Sequence, residues 1–154
     1  MVWRPLNYVY DFWLGKFKKN IFFITFAKTP KLNVIVEKLF KQTGYQVPDF
    51  QSEEDTFNQL KNLMKQIVQE GPILLVLDDV WQGSESFLDN FVFDIPNYNI
   101  LVTSRFAIRR YGHLLVLKPF SEEHAINLFK HSASLTNSTS YISDHVVKEV
   151  ISMV

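Results

Sequence analysis

Apolar residues fall along this chain in two alternating rhythms, short continuous runs and helical repeats. Ile21-Phe22-Phe23-Ile24-Thr25-Phe26 is β-branched and aromatic throughout and predicts a strand. Leu32, Ile35, Val36, Leu39 and Phe40 then recur at helical spacing. Thr29 reads as their cap, Pro30 as the first helical position and Gly44 as the terminator. Ser52, followed by Glu53, Glu54 and Asp55, opens a second helix with Phe57, Leu60, Met64, Ile67 and Val68 on its buried stripe. Gly71-Pro72 stops it. Ile73-Leu74-Leu75-Val76-Leu77 is then a run short and apolar enough to predict a strand covered on both faces. A loop with a short helix is expected over residues 83–97. Asn99-Ile100-Leu101-Val102-Thr103 predicts another strand, residues 104–111 a short helix or turn, and Leu114-Leu115-Val116-Leu117 a further strand. Ser121, Glu122 and Glu123 open a helix with Ala125, Leu128, Phe129 and Ala133 as its apolar face. A polar linker over 134–141 and a last helix over 142–154 follow. The first 20 residues are less regular: Trp3, Tyr8, Tyr10, Phe12 and Trp13 crowd together without a period. Residues 6–13 predict a strand, and Gly15 with Lys16, Lys18 and Lys19 a basic surface turn. Strands alternating with helices predict an α/β fold around a parallel sheet with right-handed crossovers.

Bulk properties narrow the function classes. At 154 residues, 47% hydrophobic and with 14 Phe, the chain can bury the core of one domain and is far from a disordered composition. Its formal charge is zero, which gives nucleic-acid binding no support. It has no Cys, so neither a disulfide framework nor a zinc-thiolate cluster is available, and a reducing compartment fits. No stretch approaches the roughly 18 uninterrupted apolar residues of a membrane span. The N-terminus also lacks the layout of a secretory signal. A soluble, cytoplasmic domain is the expectation.

Chemistry is expected where the apolar run ending at Leu77 gives way to Asp78 and Asp79. The carboxyl ends of parallel strands are where open α/β sheets bind ligands. A first carboxylate there can hold Mg²⁺, directly or through water, and a second can orient or deprotonate an attacking water. Equally, paired Asp residues open loops well. Thr103-Ser104-Arg105 ends the next strand, so Arg105 is expected at the same sheet edge, where its guanidinium could read a terminal phosphate with paired hydrogen bonds. Alone, it is a surface arginine. Arg109 and Arg110 read as a solvated helix end. The four His have no metal-ligand spacing, and no nucleophile elbow is present. Gly15-Lys16 imitates a phosphate-loop lysine, but no glycine stands five residues earlier and Phe17 replaces the Mg²⁺-binding hydroxyl. A metal-dependent phosphohydrolase built on Asp78 and Asp79 would need further acids at strand ends, for which Asp94 is the nearest candidate.

Four blocks in order resemble the NB-ARC nucleotide-binding domain of plant intracellular immune receptors, the NLR class, and its helper-type subclass in particular. Phe22-Phe23-Ile24-Thr25-Phe26-Ala27-Lys28-Thr29-Pro30 is similar to the block after the phosphate loop. Residues 73–81, through Val80-Trp81, resemble the Walker B block. Residues 99–106 resemble the block whose Thr/Ser-Arg senses phosphate, and residues 117–133 the block that closes the nucleotide subdomain. The resemblance covers residues 17–135. It implies a three-layer parallel sheet of the P-loop NTPase, or signal-transduction ATPase, type. That fold is incomplete here, with the start of a helical subdomain at the C-terminus. It implies ADP/ATP and Mg²⁺ as ligands. Asp78 would serve the metal and, with Thr103 and Arg105, the nucleotide, Arg105 meeting the terminal phosphate. Asp79 would serve the attacking water.

The departures from the pattern carry expectations of their own. Residues 1–20 stand where the Walker A loop and its strand would be, residues 21–135 form a partial nucleotide-binding subdomain, and residues 136–154 a linker and first helix of the next. The family pattern is read as placing the missing strand between the Walker B and sensor strands, leaving a slot that only residues 6–13 could fill. Losing the phosphate cradle removes several charge-assisted hydrogen bonds of about 1.5–3 kcal/mol each. Weak or lost nucleotide binding is therefore expected, with at most residual ATPase turnover. The partners implied are other NLR chains or the receptor's own further domains, with no nucleic acid and no membrane. The alternative reading is an interaction fragment that binds no nucleotide and associates with full-length receptors.

Overall fold

The computed structural model describes residues 15–132. The chain divides into two compact units at Gly112/His113. The predicted strand at 6–13, the linker at 134–141, the helix at 142–154 and Ala133 lie outside the described residues.

The first unit is built on three parallel strands: β1 (Ile21–Thr25), β2 (Ile73–Val80) and β3 (Tyr98–Ser104), in the order β1-β2-β3. Between them run helices α1 (Leu32–Thr43) and α2 (Glu53–Ile67) and a 3-10 helix, Glu85–Phe91. β2 is the middle strand, with Ile73, Leu75 and Leu77 fully buried on one face and Leu74 and Val76 nearly so on the other. A strand apolar on both sides gains about 1.5–3 kcal/mol per buried side chain only where both sides are covered.

β1 aligns with β2 from Ile21↔Leu74 to Thr25↔Asp78, and β2 with β3 from Ile73↔Tyr98 to Leu77↔Val102. This corrects the expectation of an unfilled slot between the Walker B and sensor strands. The two strands hydrogen-bond to each other directly, and the end of the pairing is tightened by Ile73 N–H donating to the Asn97 carbonyl at 2.9 Å.

One face of the sheet carries the core. Phe22 and Ile24 of β1 and the odd residues of β2 meet Ile35, Val36 and Leu39 of α1, Leu60, Leu63, Met64 and Ile67 of α2, and Leu88 and Phe91 of the 3-10 helix. On the opposite face, Phe17 packs on Leu74 and Val76. Residues 15–17 form a helical turn rather than the basic surface loop expected, because Phe17 is an apolar anchor in a polar run. Phe23 and Leu101 share this second face and stay about half exposed, at 53% and 48%. Among the described residues of this unit, helices therefore cover one face, and the third layer implied by the resemblance is represented by that turn alone.

Local signals succeed and fail for legible reasons. Ser52 caps α2 as expected, its hydroxyl accepting from Asp55 N–H at 3.0 Å. Thr29-Pro30 does not start α1. The helix begins at Leu32 after an extended Lys31 that offers no side-chain cap, since burial of Leu32 fixes the first turn two residues later. Of residues 104–111, Ser104 still belongs to β3 and the rest are bends and turns without a helix.

In the second unit, α3 (Glu122–Ser132) forms with Ser121 Oγ accepting from His124 N–H at 3.4 Å. Leu128, expected on its apolar face, is 49% exposed, whereas Ala125 and Ile126 are half-buried. The predicted strand Leu114-Leu115-Val116-Leu117 is irregular and exposed. An apolar run becomes a strand only with a hydrogen-bonding neighbour, and it has none among the described residues.

Candidate functional site at the carboxyl ends of β2 and β3

The parallel register delivers the ends of β2 and β3 to one rim of the sheet, and four residues singled out from the sequence meet there. Thr103 Oγ1 donates to Asp78 Oδ1 at 2.7 Å, and the same oxygen accepts from Asp79 N–H at 2.9 Å. Arg105 Nε lies 3.6 Å from Asp79 Oδ1. Asp78 also holds β1, its carbonyl accepting from Phe26 N–H at 2.8 Å.

The two acids are made unlike by the backbone. Leu77 pairs with Val102 and Val80 with Ser104, so three steps on β2 match two on β3. The extra residue forms a bulge, which turns a side chain away from the strand's alternation. Asp79 takes it up with φ of +53°. Asp is among the few non-glycine residues that enter this left-handed region at modest cost. Asp78 remains in the strand pleat, half-buried, while Asp79 turns toward Arg105.

The donors suit the ligands that the resemblance implies. Mg²⁺ takes oxygen ligands and is usually held by one or two carboxylates together with phosphate oxygens and water. Asp78 offers such oxygens, and one hydrogen bond from Thr103 uses only part of a carboxylate's accepting capacity. The Arg105 side chain, 87% exposed, is free to swing toward an oxyanion. The Asp79–Arg105 pair is exposed and screened, so it holds the arginine loosely.

Other candidates fall elsewhere. Asp94 does not join the acids: among the described residues no three His, Cys, Asp or Glu come together as a metal cluster. Arg110 pairs with Asp89 at 3.3 Å and lies over the Tyr111 ring, whose hydroxyl donates to Asp89 Oδ1 at 2.6 Å. That group ties the 105–112 segment to the 3-10 helix. The bulge and the double role of the Thr103 hydroxyl went unforeseen; the one cue in the sequence is that the second acid is Asp, which tolerates positive φ.

Known proteins resemble most of this chain. Over 126 residues, 82% of its length, it is 43% identical to an Arabidopsis thaliana protein named a probable disease resistance protein. It is 39% identical over 120 residues, 78% of its length, to a second protein of that plant with the same description. The chain is similar to a part of plant disease resistance proteins. It spans 16% and 15% of the length of these two relatives. No family model matches it. Among the described residues no helix is long and apolar enough to cross a membrane.

Proposed function

We propose that this chain is a partial ADP/ATP-binding switch module of the NB-ARC type, from a plant intracellular immune receptor acting in defence in the cytoplasm. The observation that carries this reading is the Thr103 hydroxyl joining Asp78 and Asp79 within reach of Arg105. Asp78 would hold Mg²⁺, which supplies charge neutralisation between phosphate oxygens. Arg105 would meet the terminal phosphate, and Asp79, once released from Arg105, would orient the attacking water.

The parallel sheet with acids at its carboxyl rim supports a P-loop-like fold. The 154 residues contain no phosphate-loop motif, so the backbone donors that cradle the β-phosphate are not supplied by this sequence. Binding by the chain itself is therefore micromolar or weaker, with little or no turnover. Calorimetric titration with ADP and with Mg²⁺·ATP tests this. Heats consistent with weak binding, lost in Arg105→Ala, support the reading; sub-micromolar ADP affinity contradicts it.

The second face of the sheet favours one other reading, an interaction fragment that associates with full-length receptors and binds no nucleotide. Phe23 and Leu101 are exposed there beside Leu74 and Val76. Gel filtration discriminates: a clean monomer that retains no receptor counts against association.

A further inference from the structure

We propose that Thr103 is the positioning residue of this site: its hydroxyl sets the two neighbouring acids in unlike roles rather than contacting a ligand. This rests on the nucleotide-site reading above. A hydroxyl can donate once and accept as well, and Thr103 uses both capacities on adjacent residues of another strand. By accepting from Asp79 N–H at 2.9 Å it anchors the one residue of the bulge with positive φ. By donating to Asp78 Oδ1 at 2.7 Å it fixes how that carboxylate is rotated, leaving its other lone pairs for a cation or cation-bound water. Asp79, turned out of the pleat, reaches Arg105 instead. The β-branched side chain is stiff about its first torsion, so the oxygen is held between its two partners by the strand itself.

Hydrogen exchange in the ¹⁵N-labelled 154-residue chain tests this, with MgCl₂ as a probe of the acids. The Asp79 amide exchanges at least about tenfold more slowly than an unprotected amide. Thr103→Val, equal in shape but without the hydroxyl, removes that protection and weakens the MgCl₂-dependent shifts of Asp78 about fivefold. Thr103→Ser restores both, while Val102 serves as an unaffected strand reference. Unchanged Asp79 exchange in Thr103→Val overturns the proposal, as does a Ser variant that behaves like Val. If Thr103→Val does not fold, the wild-type amide decides: protection supports the proposal and exchange at the free-peptide rate overturns it. Mg²⁺·ATP separates the two readings. Failure to shift any resonance beyond the effect of MgCl₂ overturns the nucleotide reading and leaves the exchange result for Thr103 standing.

Discussion

Asp79 sits at φ +53° on a strand whose neighbours are extended, and the cost of that conformation depends on the side chain. Asp79→Val puts a β-branched residue where its Cβ crowds the backbone, and the chain loses about 1–3 kcal/mol. Asp79→Gly relieves the strain and forfeits an exposed ion pair of about 0.2–1 kcal/mol, so the net change stays small. Urea midpoints at constant slope check both. Gly44 closes α1 at φ +77° with nothing within 4 Å of an added Cβ. Gly44→Ala therefore costs about 1 kcal/mol from backbone strain alone, with no clash to add. At this scale the sequence announces chemistry but not geometry. Two adjacent Asp after an apolar run mark the site. Which of them leaves the pleat follows from pairing with residues 24 positions away, and no local pattern carries that.

Helix ends show why some element boundaries are readable and others are not. Ser52 is followed by three acids and then an apolar stripe, so cap, dipole and burial agree on one start. Ser52→Ala leaves the Asp55 amide without its acceptor and costs about 0.5–2 kcal/mol, measurable by thermal denaturation. Thr29-Pro30 has the right residue types, but burial of Leu32 sets the first turn of α1 and outweighs them. Lys31 already has the extended backbone of a cap, at φ −120° and ψ 126°, and lacks only an accepting side chain. Lys31→Asp supplies one beside the positive end of the helix and raises stability by about 0.5–1 kcal/mol in the same assay. The strand expected at Leu114-Leu115-Val116-Leu117 illustrates the opposite limit. Composition identifies β-prone residues, whereas strandedness is a property of a pair.

For the first unit as a whole, the burial of β2 on both faces was legible because its run is apolar throughout, while its central place and its direct pairing with β3 were not, since the family pattern puts another strand between them. At the start of β3 the half-buried Tyr98 packs on the core beside Phe93, its ring tilted against it, and donates its hydroxyl to the Phe91 carbonyl at 2.8 Å. Burial pushes the Tyr98 phenol well above its ordinary value near 10. The Tyr111 phenol is also raised, chiefly by desolvation and by its hydrogen bond to Asp89. In the unfolded chain Tyr98 loses its proton near pH 10, while in the folded chain it keeps it. Above that pH the folded state binds more protons, and stability falls as pH rises, by up to about 1.4 kcal/mol per pH unit from Tyr98. Below pH 9 both states are protonated and this contribution is flat. Tyr98→Phe loses the hydrogen bond to Phe91, costing about 0.5–1.5 kcal/mol at pH 7. It also removes one ionisable group from the alkaline limb, so the variant's stability declines less steeply between pH 10 and 11 than the wild type's. Urea unfolding at a series of pH values reads both effects. An alkaline slope identical in the two proteins would show that Tyr98 ionises as readily folded as unfolded, and that the β2–β3 seam is open to water at its start.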